Sequence, residues 1–287
     1  MIKKGIILAG GKGTRMSPLT KAVNKQLLPI HDKPLIFYPL SILMLAGIKE
    51  VLIIVNQGQL EQYKKIIPDG KNFGMKIDYI EQKNPNGLPE AFILGEKFIK
   101  NQNVCLILGD NFFYGQNLTK ILRSCTKLKN GAKVLLHRVN KPENFGVAKV
   151  IGKKIKNIKE KPKKFISDLA ITGLYFFDKK VCKFAKQLKP SKRGEIEIVD
   201  LLNKYLKDKK LSAELIGRGG AWLDTGSIED FYKTSAFVSA IENRQGFKIA
   251  CLEEIAFNNK WINKKQLLRA VKFYGNCAYS NYIKKLI

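Results

Sequence analysis

Three short apolar runs limit what this chain can fold into: Gly5-Ile-Ile-Leu-Ala9, Val51-Leu-Ile-Ile-Val55 and Val104-Cys-Leu-Ile-Leu108. None alternates with polar residues, so a strand made from any of them must be covered on both faces. The first runs into Gly10-Gly11 and the third into Gly109-Asp110, as strands do when they end in a ligand-facing turn. Helical stretches separate them at 34–46, 60–66 and 87–99, and 75–80 alternates like a further strand. Pro34 suits the first turn of its helix. Strands alternating with helices predict an α/β chain, a Rossmann-like three-layer, mostly parallel sheet flanked by helices.

The pattern changes in the middle of the chain. Segments 132–139, 147–151, 155–158 and 171–177 read as strands joined by short turns, which predicts an extension of the sheet or an antiparallel flap. Helices are expected at about 179–187 and 196–206, and a strand at 211–216. A helix is expected over 227–243, with Ser227 as its N-cap and Glu229 and Asp230 in its first turn. One or two short helices follow Gly246. The expected organisation is an α/β domain over 1–245 and a small C-terminal helical extension over 246–287.

Composition excludes several classes. No apolar run reaches the roughly 18–20 residues of a membrane span, and Ile6–Ala9 is far too short for a signal-peptide core, so a cytoplasmic chain with no membrane partner is expected. Cysteines at 105, 125, 182, 251 and 277 form no CxxC pair, and the only histidines are His31 and His137. They predict reduced thiols, without a disulfide framework or a zinc site. The net charge of +28 invites a nucleic-acid reading. The excess is lysine spread along the chain, while arginine occurs only at 15, 123, 138, 193, 218, 244 and 269. Clustered arginine, a basic arm and the known binding motifs are missing, so no nucleic-acid partner is expected and the charge favours small anionic substrates.

The loop after the first strand is Gly10-Gly-Lys-Gly-Thr-Arg15. Its glycines allow a turn whose N–H groups face an anion. Thr14 adds a hydroxyl, and Arg15 a permanently charged fork for phosphate oxygens. It fits neither GxxxxGK[ST], because Gly13 follows Lys12, nor GxGxxG, whose third position here is Met16. Asp110 and Asp224 each sit where an apolar segment gives way to polar residues and glycine. Two convergent carboxylates can hold Mg²⁺, a hard cation that prefers oxygen.

The wider string narrows the choice. Leu8-Ala-Gly-Gly-Lys-Gly-Thr-Arg-Met16, Lys25-Gln-Leu-Leu-Pro29 and Lys33-Pro-Leu35 resemble the signature of sugar-nucleotide pyrophosphorylases. Further matches follow in the family's order: Gly109-Asp-Asn111, Phe145-Gly-Val147, Glu160-Lys-Pro162, Thr172-Gly-Leu-Tyr175, Arg193-Gly-Glu195 and Ala221-Trp-Leu-Asp-Thr-Gly226. The Lys25-Gln26 form is similar to the thymidylyl branch, where uridylyltransferases of similar length tend to have Lys-Glu. The resemblance implies transfer of a thymidylyl group from dTTP to glucose 1-phosphate, giving dTDP-glucose and pyrophosphate. UTP as donor is the alternative within the family. A catalytically inactive nucleotide-sugar sensor or a nucleic-acid-binding protein is the alternative outside it.

The resemblance also assigns residues. Arg15, Lys25 and Lys161 are implied to be catalytic, with Arg15 on the transferring group, Lys25 on the nucleotide phosphates and Lys161 on the attacking phosphate. Leu8, Gly10, Gly11, Gly13, Thr14, Gln26, Gln82 and Gly87 are implied to bind the nucleotide, Gln82 and Gly87 at the base. Asn111, Phe145, Gly146, Glu160, Ile171, Thr172 and Arg193 are implied for the sugar phosphate, and Asp110 and Asp224 for Mg²⁺. The nucleotide-binding part is expected at about 1–115, the sugar-phosphate part at about 116–245, and the assembly as a homotetramer. Phe145 departs from the family, which often has Tyr there, and so removes a hydroxyl. At a regulatory interface site, Gln116, Gly220 and Asn258 stand where His, Tyr or His, and Arg are common, which predicts weakened feedback inhibition.

Overall fold

The computed structural model describes residues 1–11, 13–152, 154–191 and 193–287; Lys12 of the glycine loop and Lys192, beside Arg193, lie outside them. The strands are β1 (Lys4–Leu8), β2 (Pro29–Ile30), β3 (Lys33–Pro34), β4 (Glu50–Asn56), β5 (Lys76–Gln82), β6 (Val104–Leu108), β7 (Asn111–Gly115), β8 (Ala132–Arg138), β9 (Gly146–Ile151), β10 (Lys154–Glu160), β11 (Leu169–Phe177), β12 (Leu211–Leu215) and β13 (Gly220–Asp224). The helices are α1 (Phe37–Leu45), α2 (Leu60–Ile66), α3 (Glu90–Leu94), α4 (Glu96–Ile99), α5 (Leu118–Cys125), α6 (Val181–Lys186), α7 (Ile198–Lys207), α8 (Ile228–Gln245), α9 (Leu252–Asn258), α10 (Lys264–Tyr274) and α11 (Ala278–Lys284).

The three apolar runs form the parallel centre of the sheet, with β1 between β4 and β6 and β5 beyond β4. Beyond β6 the sheet turns antiparallel, as the middle segments predict. β11 pairs with β6, β8 and β9, β10 closes a hairpin on β9, and β12 joins β8 in parallel. Both faces are covered. Ile7, Ile53 and Ile107 belong to one apolar core, and Ile6, Leu52 and Leu106 to another. Helices α1, α9, α10 and α11 contribute to the first core, and α3, α6 and α7 to the second. Leu252, Leu267 and Ile283 of the C-terminal extension therefore share a core with β1. None of the described helices is long and apolar enough to cross a membrane.

The structure corrects two helix boundaries. Pro34 lies in β3, paired with Pro29, and the helix begins only at Phe37. The single helix read over 87–99 is two, α3 and α4, meeting at Gly95. A Cβ there would come within 2.8 Å of the Ala91 carbonyl and 3.1 Å of Ile6, so glycine lets the segment bend where it presses on the sheet. Ser227 caps α8 as expected, accepting the Asp230 N–H at 3.1 Å.

Candidate active site

Strand register assembles one wall of the site. Leu8 is level with Ile54 and Leu108, and Asn56 with Gln82. The parallel strands thus deliver Gly10 and Gly11, Asn56, Gln82 and Asp110 to one edge, the carboxyl edge where open α/β sheets hold ligands. The Leu8 carbonyl accepts the Gly109 N–H at 2.9 Å, tying the loop's root to β6.

Gly10 is glycine because Gln82 lies against it: a Cβ would sit 1.7 Å from the Gln82 amide nitrogen. Gly11 has φ +106° and is held at both ends of its backbone. Its N–H donates to Asn56 Oδ1 at 2.9 Å, and its carbonyl accepts from Asn56 Nδ2 at 2.8 Å. The Gly11 N–H is therefore engaged within the protein and does not face outward, contrary to the expectation for the loop's glycines. Asn56 escaped the sequence reading, its one signal being its place at the carboxyl end of an apolar strand. Gly13 is left-handed and its carbonyl accepts from Thr20 Oγ1 at 2.8 Å. Thr14 and Arg15 open the short 3-10 turn that follows, both exposed. The Arg15 guanidinium lies against Gly226, where a Cβ would be 2.8 Å from Nη2. Among the described residues Arg15 forms no ion pair.

The two aspartates, 114 positions apart in the sequence, meet through a ribbon that the sequence reading lacked. β7 and β13 pair antiparallel with Asn111 opposite Asp224 and Gly115 opposite Gly220. The Asp110 carbonyl then accepts the Thr225 N–H at 3.1 Å and the Thr225 hydroxyl at 2.8 Å. Lys25 makes an ion pair with Asp110, while Asp224 has none among the described residues. Burial opposes ionisation of Asp110, but the Lys25 ammonium and the Asn111 amide hold its carboxyl below the usual range. Burial and the charge of Asp110 push Asp224 up to about 6. Gln26 is buried beside this pair, and its Oε1 has no hydrogen-bond partner among the described residues, an acceptor left for a ligand.

Asn111 serves chiefly as a strut. Its Oδ1 accepts from Gly173 N at 3.0 Å and Trp222 Nε1 at 2.6 Å, and its Nδ2 donates to Asp110 at 3.0 Å. Trp222 packs edge-on against Phe145, ring centroids 5.1 Å apart, so the phenyl ring of Phe145 has a packing role.

On the other side of Arg15, β9 and β10 place Gly146 opposite Glu160. Burial and the neighbouring Glu197 raise the Glu160 carboxyl, against the pull of Arg193 and Lys161. Arg193 is held by Glu197 at 2.8 Å and reaches Glu160 at 3.4 Å. Glu197, also missed in the sequence, thus supports the Arg193 loop. Lys161 is exposed at φ +40°, its N–H bonded to the Phe145 carbonyl at 3.0 Å. Gly87 closes against Ile196, whose N–H donates to the Asn86 carbonyl at 2.8 Å. Ile171 lines the cavity; Thr172 does not. The Thr172 side chain is fully buried and its hydroxyl donates to the Leu135 carbonyl at 3.0 Å, so the hydroxyl is turned away from any sugar phosphate.

Two polar cavities result. One of about 220 Å³ lies at the loop, with Gly10, Gly11, Gly13, Thr14, Lys25 and Gln26 in its wall. The other, of about 300 Å³, is lined by Phe145, Gly146, Glu160, Lys161, Arg193 and Asp224. Arg15 and Asp110 line both. A larger cavity of about 500 Å³ lies elsewhere, between α10 and residues 66–73, and none of the sequence-derived site residues reaches it. A second acidic cluster, His31, Asp32 and Glu242, is already occupied by ammonium groups: Lys33 and Lys248 each pair with both carboxylates.

Comparison with known proteins adds several likenesses. Residues 4–241 match the family model of nucleotidyl transferases. A glucose-1-phosphate thymidylyltransferase of Neisseria gonorrhoeae is 50% identical over 285 residues, 99% of each chain. A Bacillus anthracis protein crystallised with a sucrose superposes with TM-score 0.76 and 39% identity, over 82% of this chain and 94% of that one. A UDP-glucose pyrophosphorylase complexed with UDP-glucose gives TM-score 0.74 and 29% identity, over 85% of this chain and 100% of that one.

Proposed function

The chain belongs to the nucleotidyl transferase family, and on that premise we propose that it transfers a thymidylyl group from dTTP to glucose 1-phosphate, releasing pyrophosphate and dTDP-glucose. The observation that carries this reading is the junction of two polar cavities at Arg15 and Asp110. A nucleotide in one and a sugar phosphate in the other would meet at that junction.

In the reaction, a phosphate oxygen of glucose 1-phosphate forms the new bond to the α-phosphorus. The bond from that phosphorus to the bridging oxygen breaks, and pyrophosphate leaves with the electron pair. The nucleophile is already an anion, so no proton has to be removed, and catalysis consists of positioning and charge stabilisation. Arg15, free of ion pairs among the described residues and at the junction, stabilises charge on the transferring group. Lys25 exchanges part of its contact with Asp110 for the nucleotide phosphates. Lys161 holds the attacking phosphate, and Glu160 accepts from sugar hydroxyls with Arg193 beside it. Thr14, Gly13 and Gln26 face the nucleotide, and Gln82 and Gly87 the base. Asp110 and Asp224 are a hard oxygen donor set, with one ammonium, that of Lys25, paired to Asp110, which suits Mg²⁺. When bound, the ion supplies further neutralisation of phosphate charge. A cytoplasmic homotetramer, acting on neither nucleic acid nor membrane, belongs to the same reading.

The test is pyrophosphate release over a matrix of four nucleotides and several sugar 1-phosphates, with Mg²⁺ titrated. The highest kcat/KM is expected for dTTP with glucose 1-phosphate. UTP used as well as or better than dTTP would move the protein to the uridylyl reading, which its likeness to UDP-glucose pyrophosphorylase keeps open. No release from any pair would reject both.

A further inference from the structure

We propose that Asn56 is a positioning residue that fixes which way round the Gln82 amide faces the nucleotide base, so that the site selects a keto pyrimidine over an amino pyrimidine. The inference rests on the reading that Gln82 contacts the base.

Three groups form a chain. Asn56 cannot turn its amide over, because Gly11 specifies both ends: the backbone N–H meets Oδ1 at 2.9 Å and the backbone carbonyl meets Nδ2 at 2.8 Å. A reversed Asn56 would set donor against donor and acceptor against acceptor. Oδ1 of the oriented Asn56 then accepts from Gln82 Nε2 at 3.4 Å. Register puts the two side by side at the carboxyl ends of β4 and β5. Gln82 is buried, with its amide against Gly10 of the loop cavity. Its Oε1 accepts no hydrogen bond among the described residues.

The consequence lies in the pattern of the base edge. An amide carries one acceptor and one two-hydrogen donor. One hydrogen of Gln82 Nε2 is used by Asn56, leaving the other hydrogen and Oε1 for a ligand. Thymine and uracil present a donor at N3 between two carbonyl acceptors; N3–H meets Oε1 while a carbonyl meets Nε2. Cytosine presents an acceptor at N3 and a donor at the adjacent amine. It would need the amide reversed, and a reversed Gln82 would point Oε1 at Asn56 Oδ1, oxygen against oxygen. The selectivity thus comes from a repulsion built against the wrong base, templated by the backbone of the glycine loop.

The experiment measures kcat/KM with dTTP and with dCTP, both with glucose 1-phosphate, and reads their ratio. Effects on the loop shared by both nucleotides cancel in that ratio. Asn56→Ala frees Gln82 to turn and should narrow the ratio about tenfold, the size of one lost hydrogen-bond discrimination. Asn56→Asp keeps the acceptor facing Gln82, so it should hold the ratio within about threefold of wild type even as it lowers both efficiencies. In a Gln82→Ala background, adding Asn56→Ala should leave the ratio unchanged. A folded Asn56→Ala protein with the wild-type ratio would overturn the inference, as would Asn56→Asp narrowing the ratio as far as Asn56→Ala. If wild type itself releases no pyrophosphate from dTTP, the proposed function fails, and this inference fails with it.

Discussion

Two of the molecule's pairs of neighbouring carboxylates are built in opposite ways. Asp32 and Glu242 tie the β2–β3 hairpin to α8 and to the chain beyond it. Lys33 and Lys248 bind both of them, and the Ile249 N–H donates to Glu242 at 2.8 Å. The cluster balances to zero charge, and the lysines hold Asp32 below its usual range despite its burial. Of Asp110 and Asp224 only Asp110 has a paired lysine among the described residues, and the charge of Asp110 raises the carboxyl of Asp224. Satisfied charge marks a structural joint; unsatisfied charge, facing two cavities beside a free arginine, marks a site waiting for a ligand.

The largest effect should come from breaking the closed cluster. Glu242→Ala leaves Lys33, whose side chain is only 2% exposed, beside Lys248 with a single acid between them. Removing one partner from a buried ion network costs about 3–5 kcal/mol, readable as a shift in the urea midpoint. A loss under about 1 kcal/mol would mean that the lysines escape to water and that the cluster is no joint. Arg15→Ala should do the reverse. Arg15 is exposed and unpaired among the described residues, so stability should move by no more than about 0.5 kcal/mol, while kcat falls about 100-fold or more, the scale of one lost preorganised donor. Near-normal kcat in the folded variant would take Arg15 out of catalysis. A smaller effect is expected of Asp224→Asn in metal-free buffer. Removing one of two mutually repelling carboxylates should leave stability unchanged or raise it by about 1 kcal/mol. A fall as large as that of Glu242→Ala would erase the contrast between the two pairs.

The contrast was only half legible in the sequence. The glycine loop, Lys25, Asp110 and Lys161 could be picked out because they stand in short strings whose order carries information. The parallel core was legible because unbroken apolar runs have few uses. What brings Asp224 to Asp110 was not: β7 and β13 mix aromatic, glycine and polar residues, and no period marks two short strands whose partner lies a hundred residues away. Asn56 and Glu197 were silent for a related reason. Their importance lies in what they touch, Gly11 and Arg193, and single polar residues at element ends look alike until the chain folds. Thr172 shows the opposite error: a motif position implies proximity to substrate, while burial sends its hydroxyl to the Leu135 carbonyl.

A third kind of carboxylate sharpens the comparison further. Glu253 is 1% exposed and forms no ion pair among the described residues; the Tyr279 hydroxyl donates to it at 2.6 Å, and the Tyr274 hydroxyl and the more distant Cys251 thiol also face it. Burial raises its carboxyl above the usual range, against these hydrogen bonds. A folded-state pKa above the unfolded one means that the folded protein binds the proton more tightly. The stability this provides is fully present below the unfolded value, near 4.3, and is lost as pH rises through the folded value. Glu253→Gln keeps an oxygen for Tyr279 and never ionises. Its stability relative to wild type should therefore increase as pH rises above the unfolded value. Asp32→Asn, which removes an acid that already has its lysines, should show the opposite trend. Its disadvantage should be smallest in acid and grow as pH rises past the lowered pKa of Asp32. If the two variants track together with pH, the presence of a cation does not separate structural carboxylates from strained ones in this fold, and the reading of Asp110 and Asp224 loses its electrostatic support.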